Sequence, residues 1–230
     1  VRDKATKIPC LVFNFINATS WKDIDWKPRD VQKYMYELLR CLDFAHSVGI
    51  MHRDIKPDNI MIDHDSQQVT IIDWGLAEFY HPNTEYNVGV ATRPFKGPEL
   101  LVGFKMYDYS LDIWAIGCVL GAIIFNKQPY MFYGSNNVDQ LVKIVKVLGT
   151  KGLDKYLDKY DIELAEEVEE AVSQEECEKE SWDEHIHDKT EHLVDDDVLD
   201  LLDKMLLYDH AARPTCAEAM KHKYFKSVRN

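Results

Sequence analysis

No stretch of this 230-residue sequence is long and apolar enough to span a bilayer. Its longest apolar run, Ile113 to Phe125, has 13 residues. A spanning helix needs about 20, so the run reads as a buried core helix and a membrane is not an expected partner. Nothing in the opening stretch reads as a secretory leader. Val1 to Pro9 carries three basic residues with no apolar core behind them. Cysteine is sparse: Cys10, Cys41, Cys118, Cys177 and Cys216 are scattered, odd in number and form no CxxC pair. That argues against a zinc site and a disulfide framework, and points to a reducing setting, the cytoplasm and nucleus. A basic excess is lacking too. The net charge is −13, and the acidity is local. Residues 161–200 hold 18 acidic residues against two lysines, while the rest of the chain holds 25 basic and 22 acidic residues. Without a clustered basic face, nucleic acid is not an expected partner. What is present is an ordinary globular balance, 46% hydrophobic and 29% charged.

Hydrophobic periodicity orders the chain. Ile8 to Ile16 (IPCLVFNFI) is apolar and aromatic and reads as a buried strand. Val31, Tyr34, Met35, Leu38, Leu39, Leu42 and Ala45 recur at helical steps. Asp30 is placed to cap that helix and Gly49 to stop it. Ile60 to Ile62 and Val69 to Ile72 flank a polar turn and predict a hairpin. The stretch from Asp73 to Glu99 is irregular, and a loop of that length is usually functional or disordered. Helices are expected over Ser110 to Phe125, Asp139 to Leu148, Val198 to Tyr208 and Ala217 to His222. The acidic run Glu163 to Glu184 reads as a solvated helix face or flexible insert, with a partner-binding surface as the alternative. His185, His187 and His192 lie near Cys177, but their spacing matches no zinc pattern.

The chemistry sits in His52-Arg53-Asp54-Ile55-Lys56-Pro57-Asp58-Asn59, which has HRDxxxxN spacing. Asp73-Trp74-Gly75 follows nineteen residues after Asp54, and Gly97-Pro98-Glu99 comes later. In order, these correspond to the catalytic loop, the Asp-Phe-Gly turn and the Ala-Pro-Glu motif of protein kinases. Phosphoryl transfer asks a protein for positioning and charge neutralisation. Asp54 can take the proton of a hydroxyl. Lys56 can neutralise charge on the transferred group. Asp73 and Asn59 offer the hard oxygen ligands that Mg²⁺ prefers. His52, Arg53, Asp112, Glu99 and Arg213 read as structural: Asp112 to hold the catalytic-loop backbone, Glu99 and Arg213 to form a buried ion pair.

Within the kinases, "MYELLRCLDFAHSVGIMHRDIKPDNIMID", "DWGLAEFYHPNTEYNVGVATRPFKGPELLV", "YDYSLDIWAIGCVLGAIIF" and "DQLVKIVKVLGT" resemble casein kinase II catalytic (alpha) subunits. The likeness runs from about Ile8 to Phe225 and is weak between Ala165 and Asp188. It implies an α+β, mainly α fold: a kinase C-terminal lobe with a hinge strand and small β-hairpins, the N-terminal lobe largely absent. Residues 1–18 would be the last N-lobe strands and hinge, and residues 19–230 the C-lobe, with an activation segment at 73–99 and a variable acidic segment at about 161–192. The resemblance implies a Ser/Thr protein kinase that uses ATP, can also use GTP, needs Mg²⁺ and prefers acidic protein substrates. It implies pairing with a dimer of regulatory beta subunits, mainly through the N-lobe, and a place in nucleus and cytoplasm. By position, Phe13 matches the gatekeeper, Asn14 to Asn17 the hinge with Ile16 meeting the base, and Met61 and Ile72 the pocket floor. Asp54 is the proton acceptor, while Lys56, Asn59 and Asp73 hold phosphate and magnesium. Arg93 and Lys96 match two cations that recognise acidic substrates.

The sequence departs from that pattern at Gly89, in place of a third cation, at Asp58, in place of a His, and at Pro94, in place of an aromatic residue. No phosphate on Thr84, Tyr86 or Thr92 is expected to be required. A Gly-rich loop and a Val-Ala-Ile-Lys lysine are not found in the sequence, so the chain reads as a fragment of an active kinase. The competing reading is a truncated, catalytically dead kinase that serves as a binding or scaffold module. The retention of Asp54, Lys56, Asn59 and Asp73 together favours the enzyme.

Overall fold

A computed structural model describes residues 1–229. Helix α1 (Pro28–Ser47) comes first, followed by β1 (Ile50–Met51). The hairpin β2 (Ile60–Asp63) and β3 (Gln68–Ile71) follows, then β4 (Glu78–Phe79). The rest is helical: α2 (Pro98–Leu101), α3 (Ser110–Ile124), α4 (Asn137–Leu148), α5 (Thr150–Tyr160), α6 (Glu166–Ser173), α7 (Asp196–Met205) and α8 (Cys216–Ala219).

Helix α1 buries the expected stripe, Val31, Tyr34, Met35, Leu38, Leu39, Leu42 and Ala45. Each fully buried leucine is worth about 1.5–3 kcal/mol. Asp30 is not the cap. Pro28 opens the helix, where its missing N–H costs nothing, and Asp30 sits in the first turn, where a carboxylate favours the helix dipole. Gly49, at φ +83°, turns the chain out of α1 into β1. Helix α3 is apolar on all sides, and every residue from Leu111 to Ile124 is buried. It is the axis of the core, with α1 and α7 packed around it.

The hairpin has the expected register, Ile60 opposite Ile71 and Ile62 opposite Val69. Ile60 and Ile62 point into the core, while Met61 faces outward beside Thr70. A second antiparallel pair joins β1 to β4, Ile50 opposite Phe79 and Met51 opposite Glu78. Helix α4 is capped by Asn136, which accepts from Asp139 N at 2.8 Å, and α7 by Asp195, which accepts from Val198 N at 2.8 Å.

Three expectations are corrected. Ile8 to Ile16 is not a buried strand: from Cys10 to Ile16 the chain has no regular structure, and Ile8, Leu11, Val12, Phe13 and Phe15 are exposed. A strand needs a neighbour for its N–H and C=O groups. Among the described residues this segment has only the isolated Arg2–Pro9 bridge. The chain first reaches the hairpin at Thr19, whose N–H donates to Ile62 O at 2.8 Å. Next, of the two readings of the acidic run, α6 with its exposed glutamates matches the solvated helix face, and the flexible insert is the one corrected. Helix α5 is an additional element, and Val172 and Trp182 are buried. Last, α7 ends at Met205, short of Tyr208, and α8 covers Cys216 to Ala219. Among the described residues no helix is long and apolar enough to cross a membrane.

Candidate active site

The turn between β1 and the hairpin is held from below by one carboxylate. Asp112, in the first turn of α3, is fully buried. Its Oδ2 accepts from His52 N at 2.9 Å and its Oδ1 from Arg53 N at 2.8 Å. His46 Nε2 is also 2.9 Å from Oδ2. Burial pushes the Asp112 carboxyl upward, but the contacts with His46 and then His52 outweigh it and hold it below its ordinary value. Arg53 takes a left-handed φ of +65°. Its guanidinium donates to Leu76 O at 2.7 Å and to the Tyr107 hydroxyl at 3.1 Å, which ties the following segment to the turn. His52 is buried, with its ring edge-on to Trp74 at 4.7 Å.

On this support Asp54, Lys56 and Asn59 converge. Lys56 Nζ donates to Asp54 Oδ2 at 2.8 Å. Asn59 Nδ2 donates to Asp54 O at 2.9 Å and lies 3.1 Å from Asp54 Oδ2. A fourth residue completes the group. Thr92 N donates to Asp54 Oδ1 at 2.9 Å, and its hydroxyl donates to the same oxygen at 2.7 Å while accepting from Lys56 Nζ at 2.8 Å. Burial raises the Asp54 pKa, but the bonds from Lys56 and Thr92 prevail and keep the carboxylate ionised below its usual range.

Asp73 stands at the end of the hairpin in a left-handed conformation, φ +57°, accepting from Gly75 N at 3.2 Å. Its register to the catalytic loop is set by Ile72 N, which donates to Asn59 O at 2.9 Å. The donor set suits a hard cation. Asp73 presents an exposed carboxylate, and the amide N–H groups of Asn59 are directed to Asp54, which leaves its amide oxygen as a ligand. Met61 and Ile72 are half-buried on the outer side of the hairpin.

The other expected site residues are placed differently. Phe13 is 79% exposed, Asn17 is exposed and Ile16 is half-buried, and none of the three hydrogen-bonds to the catalytic loop among the described residues. Arg93 donates to Gly134 O at 3.2 Å and to Ser135 O at 2.7 Å. Lys96 is not a surface charge. It is buried against Val88 O at 3.4 Å, and burial, with the nearby Arg93 charge, lowers its pKa. Neither cation has a carboxylate partner among the described residues. No group of three or more histidine, cysteine and acidic side chains suited to a metal occurs among those residues, and the three histidines of the acidic region diverge. His185 meets Lys127, and His192 meets Trp26 O.

Below the loop, Arg213 and Glu99 form a fully buried two-pronged ion pair, with bonds of 2.8 and 2.7 Å. Gly97 is required there, because a Cβ on it would lie 2.5 Å from the Glu99 carboxylate. A family model for the protein kinase domain matches residues 4–225. The chain belongs to the protein kinase family. Protein kinases are transferases that generally use ATP and Mg²⁺. Of the kinase motifs read from the sequence, the loop at Asp54 and the hairpin end at Asp73 are linked through the Ile72 N to Asn59 O bond, and Glu99 forms its buried pair with Arg213. Thr92 is the member the sequence reading did not place at the loop. Its only signal was its position five residues before Gly97, in a segment without regular structure.

Proposed function

We propose that this protein kinase transfers the γ-phosphate of ATP to serine or threonine hydroxyls flanked by acidic residues, as casein kinase II catalytic subunits do. The observation that carries the reading is the Asp54–Lys56–Thr92 arrangement. A hydroxyl 2.7 Å from an ionised Asp54, with a lysine ammonium 2.8 Å from both partners, is the environment a substrate hydroxyl needs. Asp54 accepts the hydroxyl proton, an effect typically worth about 10²- to 10⁴-fold. Lys56 faces the transferred group and neutralises its charge. Asn59 and Asp73 hold the magnesium, which when bound supplies charge neutralisation at the phosphate oxygens. Phe13, Ile16 and Asn17 provide the wall, and Met61 and Ile72 the apolar floor, for the nucleotide base.

Arg93 and Lys96 support the acidic preference. Arg93 is exposed and without a carboxylate, so it favours an anionic group from outside, and the buried Lys96 adds positive potential beside it. Regulatory subunits and a nuclear and cytoplasmic location belong to the same proposal and rest on the sequence resemblance alone. The phosphate-cradling loop and its lysine are not in this sequence, so the 230 residues by themselves are expected to turn over poorly.

The test is transfer of labelled phosphate to an acidic serine peptide by the chain joined to a kinase Gly-rich loop and lysine-bearing strand. Asp54→Ala should abolish nearly all turnover and spare nucleotide binding. Arg93→Ala should weaken the acidic peptide more than a neutral one. Unchanged turnover in the first variant overturns the base assignment, and equal losses in the second overturn the recognition of acidic substrates.

A further inference from the structure

Two adjoining concavities lie away from the catalytic loop against α5 and α6, one beside the segment that joins these helices and the other beside the segment that follows α6. The larger has a volume of 530 Å³ and an apolar floor of Leu157, Ile162, Leu164 and Val172. The smaller, of 380 Å³, continues it, with Asp154, Val172 and Ser173 lining both. Together they make one groove, whose lining includes no residue of the catalytic loop or of the segment from Asp73 to Glu99.

Around the larger part the rim has one sign of charge. Asp154, Asp158, Glu163 and Glu169 line the larger part and are exposed. None of them has a cation within ion-pair distance among the described residues. The lysines nearby are already paired: Lys151, which lines the smaller part, with Glu178, Lys146 with Glu175 and Lys159 with Asp209. Lys155, exposed on α5, is not among the lining residues. Four uncompensated carboxylates around an apolar floor repel one another, and a cationic occupant relieves that repulsion. The floor excludes a purely polar ligand as the best fit, because it offers surface that only apolar side chains cover.

We propose that this groove docks a basic amphipathic segment of a protein partner, which sets its large apolar side chains on Leu157, Ile162, Leu164 and Val172 and its lysines or arginines against the rim. The mode is a helix laid in a groove, with charge setting orientation and encounter rate. Only the part of the groove from Glu169 onward lies in the stretch where the likeness to casein kinase II is weak, and the inference does not depend on the kinase reading. Docking here leaves the cleft around Asp54 free.

The test is fluorescence anisotropy of the 230-residue chain with a labelled peptide that carries lysines on one helical face and leucines on the other. Saturable binding is expected. It should weaken at least about tenfold when Asp158→Asn, Glu163→Gln and Glu169→Gln are combined, and weaken with added salt as ionic screening requires. Asp23→Asn, Asp25→Asn and Asp65→Asn together remove the same charge from exposed positions elsewhere and should leave binding unchanged. On the unaltered chain, a peptide with serines in place of the leucines should bind far more weakly. Absence of saturable binding, an equal loss in the distant triple variant, or equal binding of the serine peptide each overturns the proposal. The last would reveal attraction of any polycation.

Discussion

Thr92 places its hydroxyl 2.7 Å from Asp54 Oδ1, although 38 residues separate the two in the chain. The bond does two things. It links the irregular segment after the hairpin to the loop that precedes it, and it helps keep Asp54 ionised.

Thr92→Ala should therefore lower kcat in an active form of the kinase. A hydrogen bond to a charged group contributes about 1.5–3 kcal/mol, and about 1.4 kcal/mol is a factor of ten, so a fall of about ten- to a hundredfold is expected. Removal of the bond also takes away one of the effects that lower the Asp54 pKa. The acid limb of the pH–rate profile should move to higher pH, and Thr92→Ser should restore both properties. An unchanged acid limb with reduced kcat would show that Thr92 is only a structural tether.

Asp112 yields a prediction about stability. It is fully buried and receives His46, His52 N and Arg53 N. Breaking a buried charged group away from its partners costs about 3–5 kcal/mol. For a chain of this size each kcal/mol lowers Tm by about 2–4 °C. Asp112→Ala should thus lower Tm by about 6–20 °C. The pH dependence follows from the depressed folded-state pKa. The contribution of Asp112 is complete above the ordinary carboxylate value of 3.8 and is lost as pH falls through the lower folded value. Thermal melts from neutral to acid pH should show the gap between the two proteins narrowing only below that value. A gap that closes near pH 6 would exclude Asp112 as the group responsible.

The two levels of structure were unequally legible in the sequence. Helix α3 could be read because an all-apolar run has no other place than a core, and α1 because its stripe repeats at helical steps. The catalytic loop could be read because its polar residues sit at fixed spacing over a few positions. Helix α5 was missed, and α6 was expected only as one of two alternatives, for a physical reason. Their charged residues outnumber the few that bury, Leu153 and Tyr156 in one and Val172 in the other, so their helical period is faint against the charge. Thr92 was missed because its partners are distant in sequence and only the fold joins them. Ile8 to Ile16 failed in the opposite way. Composition alone suggested a strand, but a strand is a property of a pair, and composition carries no information about the neighbour.

That segment gives the last prediction. Phe13 is 79% and Phe15 92% exposed, and neither ring is part of a buried cluster. A solvent-facing apolar run of this kind is a docking or association surface rather than a source of stability. Replacing both with serine should shift stability by no more than about 0.5 kcal/mol, which is within about 2 °C in Tm for a chain of this size. The same change should reduce binding of a dye that fluoresces on apolar surfaces, because two exposed rings have been removed. Their aromatic area matters only once something covers it, so a nucleotide-binding form built with an upstream sheet should lose nucleotide affinity on Phe13→Ser while the 230-residue chain stays equally stable. A drop of more than about 5 °C in the 230-residue chain would place these rings in the core of the folded protein and overturn the exposed arrangement.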